Sequence, residues 1–261
     1  MEVDTTWTKE LQKFHFAGCG GTKMDDIPRQ LGDTGNSQLI LGFLGGNDAH
    51  FGEIARACVY QPAPGPWGLP YDEDPNGEGE CKKNLQISRA FITDKGDEGL
   101  EAKFKTALDK IIAFKQGSGQ IQDRFDLYIS SYVEFFDATT DACDDWTFAR
   151  WFSVGSPKLV KPLRAEMNDL VQQYNAVQAA VIAGYPSPLG LGLNYYVHYI
   201  PISDVFQNHR FCEEGHSFED QWTSSDVWIW NLQVYTHHQQ TPQPWIFEET
   251  AVEHVLKLTS L

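Results

Sequence analysis

The run Leu39-Ile40-Leu41-Gly42-Phe43-Leu44, followed at once by Gly45-Gly46-Asn47-Asp48, constrains this chain more than any other stretch. A short unbroken apolar run closed by a glycine turn reads as a buried strand. Such a strand delivers the Asn47 amide to the loop at its carboxyl end, where open α/β sheets hold their ligands. In acyl transfer, negative charge builds on the former carbonyl oxygen, and donors fixed in advance around it are worth a few kcal/mol each. A side-chain NH2 on a rigid strand end is one such donor, and a backbone N–H in a glycine turn is another. The second is offered by Ala17-Gly18-Cys19-Gly20-Gly21-Thr22-Lys23-Met24-Asp25-Asp26-Ile27, where small residues let the backbone approach a ligand and Asp25 and Asp26 open a helix at its electropositive end. Taken singly, a glycine turn is usually only a turn, and an Asn-Asp pair usually caps the next helix. Two such pieces in this order fit a ligand crevice.

The length of 261 residues, with 41% apolar and 13% aromatic, suits a single large α/β domain over 1–261. A net charge of −16 argues against binding a nucleic-acid backbone or an anionic membrane surface, and no lysine or arginine cluster offsets it. No run of about 18 apolar residues spans a membrane. Met1-Glu2-Val3-Asp4-Thr5-Thr6-Trp7 has neither a basic flank nor an apolar core, so no signal peptide is expected there.

Further along, apolar residues at Leu100, Phe104, Leu108, Ile111 and Ile112 predict an amphipathic helix over Glu98 to Phe114. Phe125 to Val133 reads as a buried strand opening into an irregular loop at Tyr132-Val133-Glu134-Phe135-Phe136-Asp137. From Lys158 to Ile182 a 3.6-residue period runs through Leu159, Leu163, Met167, Leu170, Val171, Tyr174, Val177 and Val181, with Asn168 and Asn175 embedded, and predicts a long helix. Tyr195 to Ile202 is the next strand. Cys58 and Cys81 bracket a loop from Gln61 to Glu80 that is rich in Pro, Gly and acid, has few apolar contacts to hold it and would gain from a staple. A disulfide framework implies an oxidising compartment; five reduced thiols in a cytosolic protein are the alternative.

The stretch from Gly45 to Tyr60 resembles the third conserved block of the SGNH (GDSL-type) serine esterases and lipases, and Ala17 to Ile27 is similar to their second. Aligning Asp-Asp-Ile places the oxyanion glycine at Gly21, with Asn47 as its partner donor. Asp204-Val205-Phe206-Gln207-Asn208-His209-Arg210-Phe211-Cys212-Glu213 resembles the family's Asp…Phe…Gly-His-Arg-Phe-Cys-Glu pattern, with Asn208 where glycine is usual. Cys143 and Cys212 fall in segments that look like paired cysteine positions of fungal and bacterial members, while the usual partner of Cys19 lies in a segment not found here. The resemblance runs from about 14 to 232, with 233–261 divergent. It implies a flavodoxin-like parallel sheet between helices, a secreted serine-mechanism hydrolase of small-molecule, lipid or glycan esters, and no cofactor or metal.

Both catalytic ends of the pattern depart from the family. The Gly-Asp-Ser block is expected roughly 40 to 60 residues before the glycine block, one βα unit plus a long loop. Only twenty residues precede Gly21. The nucleophile block and the first strand are therefore expected to be absent, with exposed sheet edges and marginal folding or association. Gly32-Asp33-Thr34-Gly35-Asn36-Ser37 reads as a surface turn, and Ser130 and Ser131 as strand-end residues rather than nucleophiles. No His-Pro supplies the base. His209 and His216 read as disulfide-loop residues, His237 and His238 as a solvated loop rather than a metal site, and His254 as part of a terminal helix from Glu248 to Leu258. Trp222, Trp228, Trp230 and Trp245 read as core and loop packing. Two functions follow: an ester-hydrolase lineage with oxyanion donors Gly21 and Asn47, or a non-catalytic binding or structural module on the same fold.

Overall fold

The computed structural model describes residues 16–18, 20–32, 37–61, 68–117, 125–149, 156–186 and 195–229. Cys19, Thr34, Trp230, His237, His238, Trp245, His254 and the segment 1–15 lie outside them.

Three strands form one parallel sheet: β1 (Leu39–Gly42), β2 (Phe125–Ser130) and β3 (Tyr195–Ile200), in chain order with β2 in the middle. Parallel neighbours demand long crossovers, and helices supply them. Between β1 and β2 run α2 (Phe51–Ile54), which passes into a π-helical turn over Ala55–Tyr60, then α3 (Glu80–Thr93) and α4 (Leu100–Gly117). Between β2 and β3 runs α5 (Lys161–Ala183). A short α1 (Ile27–Leu31) precedes the sheet and α6 (Asp220–Thr223) follows it.

The strands end where their chemistry changes. β2 stops at Ser130 rather than Val133, because Tyr132 turns its main chain to the side chain of Asn175. β3 stops before Pro201, which has no N–H for the ladder. α5 starts with Pro162 in its first turn, where the missing N–H costs nothing, and ends at Gly184. The sequence reading missed α3. Its buried stripe is narrow, Cys81, Leu85, Ser88 and Ile92, so the loop-like composition before it carries over.

Phe125, Leu127 and Ile129 on β2 are buried against the helical layer, which α5 joins through the Tyr199 hydroxyl on the Asn175 carbonyl, 3.3 Å. Asp126, Tyr128, Tyr196 and His198 line the other face and keep partial exposure. Two disulfides form. Cys58–Cys81 closes the loop that invited a staple, and Cys143–Cys212 joins the pair expected from resemblance. Among the described residues no helix is long and apolar enough to cross a membrane.

Candidate functional site

The apolar run ends in a tight turn. Gly45 has φ +87°, and the Ala49 and Phe51 amides return to the carbonyls of Gly45 and Gly46 at 2.9 and 3.0 Å. His50, at φ 59°, then feeds α2. The two glycines are required by what lies beneath. A Cβ on Gly45 would meet the Tyr174 hydroxyl at 2.1 Å, and one on Gly46 would meet the Tyr132 hydroxyl at 2.7 Å. The Gly46 N–H instead donates to Tyr132 Oη at 2.8 Å, and Tyr174 Oη donates to the Leu44 carbonyl at 2.6 Å. Tyr132, Tyr174 and Phe51 pack with centroids 5.2 to 5.4 Å apart. Burial pushes both phenols well above their usual range, so they stay protonated.

Chain folding brings the two sequence-predicted segments together. Asn47 Nδ2 donates to the Thr22 carbonyl at 2.9 Å, one residue past Gly21, and the Met24 N–H donates to Asp48 Oδ2 at 3.0 Å. Gly21 sits at φ 70°, a left-handed conformation that glycine adopts freely, and both Gly21 and Asn47 are exposed. Asp48 is half-buried; desolvation raises its carboxyl above the ordinary 3.8, with the Met24 N–H as the largest opposing influence. Asp25 and Asp26 open the expected helix start, a 3-10 turn over Met24–Asp26 running into α1. Asp26 Oδ2 caps the Lys23 N–H at 2.9 Å. Asp25 is held below the usual carboxylate range by Lys103 and Lys110 of α4, at 3.2 and 3.3 Å.

Beyond the carboxyl ends of β2 and β3 lies an open depression of about 390 Å³, with Ser131, Glu134, Asn175, Tyr199, Asp204 and Gln207 in its lining and, among the described residues, no basic side chain there. Ser131 Oγ accepts the Ile202 N–H at 2.9 Å, and Ser130 is buried, its hydroxyl on the Ser131 carbonyl. Both serines serve the backbone, as their strand-end position implied.

In the loop after β3, rings and ion pairs hold the segment from Asn208 to Trp228. Asn208 adopts φ 66°, a left-handed conformation that asparagine tolerates better than most residues. The His209 ring stacks on Trp228 at 3.5 Å with Nδ1 on the Asp226 carbonyl at 2.8 Å. Arg210 bonds Glu134 and Glu213 at 2.8 and 2.7 Å. Trp222 packs edge-on against Phe218. Sequence reasoning missed one further pair: His198 Nε2 stands 2.8 Å from Asp126 Oδ1, with the His198 ring stacked on Tyr128. Only strand register reveals it, since 72 residues separate the two. It lies on the sheet face away from α5, not at the strand ends. No three-residue metal-ligating cluster occurs among the described residues.

The fold is a parallel α/β sheet flanked by helices, and in open sheets of this kind ligands sit beyond the carboxyl ends of the strands, the end at which Asn47 stands. No family profile matches the sequence, and neither does any curated protein. Two solved structures are similar. One is an extracellular lipase from Streptomyces rimosus, at 18% identity over 85% of this chain and 75% of that one, TM-score 0.49. The other is phospholipase A1 from Streptomyces albidoflavus NA297, at 18% identity over 74% of this chain and 61% of that one, TM-score 0.47.

Proposed function

We propose that this chain is of the SGNH-type carboxylic ester hydrolase lineage, with the Gly21 amide and the Asn47 carboxamide as oxyanion donors. The observation that carries the reading is the 2.9 Å bond from Asn47 Nδ2 to the Thr22 carbonyl, which sets the glycine block and the Gly-Gly-Asn-Asp loop side by side. That bond uses one of the two N–H groups of Asn47, leaving the other for a ligand oxygen. No serine is assigned as the attacking hydroxyl, because the family's Gly-Asp-Ser block does not occur in the sequence. The substrate is an ester of a small molecule, lipid or glycan, and the chemistry calls for no cofactor or metal. A net charge of −16 disfavours nucleic acid. The two disulfides support an oxidising, extracellular setting.

A second reading has its own support. The same Asn47 bond is a sufficient reason for the residue as a structural tie, as in a non-catalytic binding or structural module on this fold. Hydrolysis of a short-chain p-nitrophenyl ester by the pure 261-residue chain separates the two. Turnover that Asn47→Ala lowers about 10²- to 10³-fold supports the oxyanion reading and reveals an attacking hydroxyl within the chain. No turnover, or turnover indifferent to that substitution, favours the module.

A further inference from the structure

Resting on the reading of Asn47 as an oxyanion donor, we infer that Tyr132, Tyr174 and Asn175 are positioning residues that fix the Asn47 loop from the end of β2 and from α5. The Asn47 carboxamide is tied to the Thr22 carbonyl and its turn is closed by main-chain bonds, but the glycines before it leave the approach from β1 conformationally free. Here the turn is gripped at two successive points. Tyr174 Oη donates to the Leu44 carbonyl at 2.6 Å, and Tyr132 Oη accepts the Gly46 N–H at 2.8 Å, so the peptides on either side of Gly45 are both fastened.

The grip is itself anchored. Asn175 Oδ1 accepts the Tyr132 N–H at 2.9 Å and Asn175 Nδ2 donates to the Tyr132 carbonyl at 2.8 Å, a two-point hold on the main chain that carries the ring. Tyr174 is its neighbour on α5, and the two tyrosine rings meet edge to face at 5.2 Å. One helix therefore supplies one clamp directly and orients the other. Absent side chains at Gly45 and Gly46 make room for both hydroxyls. A carboxamide that stabilises a developing oxyanion must be in place before charge appears, because reorganisation at that moment cancels its benefit.

The test is amide and carboxamide NMR of the whole chain, with the Asn47 side-chain signals assigned by their loss in Asn47→Asp. In Tyr132→Phe the Gly46 N–H loses its acceptor. Its hydrogen exchange is expected to accelerate on the order of five- to tenfold, and the Asn47 carboxamide signals to shift or broaden, while Leu127 and Val197 amides in β2 and β3 exchange as before. A purely structural role would move the β2 and β3 amides as well and leave Asn47 no more affected than they are. Should Tyr132→Phe lose the fold, Asn175→Asp keeps the acceptor for the Tyr132 N–H, removes the donor to its carbonyl, and is read in the same way. Unchanged Gly46 exchange and unchanged Asn47 signals overturn the inference. Because the readout is in the free protein, it is independent of turnover: ester hydrolysis indifferent to Asn47→Ala would sink the oxyanion reading while leaving the clamp standing.

Discussion

Asn47 and Asp48 are neighbours with opposite situations. The first is exposed and tied to Thr22; the second is half-buried and tied to Met24. Burial raises the Asp48 carboxyl above its ordinary 3.8, so the folded chain binds that proton more tightly than the unfolded one. The sign follows by linkage. Stability from this group is fully present below about 3.8 and is lost as pH rises through the elevated value. Asp48→Asn keeps an oxygen for the Met24 N–H and removes the buried charge. Its urea midpoint at pH 7 is therefore expected to exceed that of the parent, with the gap closing as pH falls toward 3.5; an equal gap at both pH values would refute the assignment. In the sequence, Asn47 was marked by the glycine turn that closes an apolar run, and Gly21 by the alignment of Asp-Asp-Ile with the family's second block. Tyr132 and Tyr174 were not, since they reach the loop across 86 and 130 residues of chain.

At the scale of elements, α5 explains most of what positions the site. Its apolar period was visible, and Leu163, Leu170 and Tyr174 are buried as that period requires. Its polar residues are the less expected part. Arg164 is fully buried, with Nε on the Leu159 carbonyl at 2.7 Å, Nη1 on the Asp137 carbonyl, and Nη2 on the Thr140 carbonyl and Asp144 at 2.7 and 2.6 Å. Asn168 takes the Phe136 carbonyl at 2.8 Å, and Asn175 brackets Tyr132. Together they form a ladder along one side of the helix that satisfies the carbonyls of an irregular segment lacking a strand partner of its own, apart from one bridge at Phe136 and Phe211. Arg164→Met preserves volume but removes the donor to three carbonyls and leaves Asp144 with the Lys161 N–H and solvent. It is expected to cost about 3–5 kcal/mol in urea unfolding, against about 1–2 kcal/mol for Asn168→Ala. Equal losses would mean that Arg164 acts by packing alone. Periodicity locates such a helix, but a polar residue inside the apolar stripe names no partner until the loop it serves has been placed.

For the whole molecule, the two disulfides divide the work unequally. Cys58–Cys81 closes a separation of 23 residues beside the sheet, whereas Cys143–Cys212 spans 69 and fastens the loop after β2 to the loop after β3. Chain entropy assigns about 3 kcal/mol to the first and about 4 kcal/mol to the second. The paired serine substitution at 143 and 212 is therefore expected to lower the urea midpoint more than the pair at 58 and 81, and the reverse order would point to strain or local packing instead. By itself the sequence determined the strand and its glycine turn, the long helix and the staple at Cys58 and Cys81, because each is written in local spacing and residue type. The tertiary structure alone decided which side chains meet them. Tyrosine hydroxyls under the glycines, Arg164 under the loop and His198 beside Asp126 are contacts between distant segments, and their geometry follows from strand register and helix packing, which no local pattern encodes.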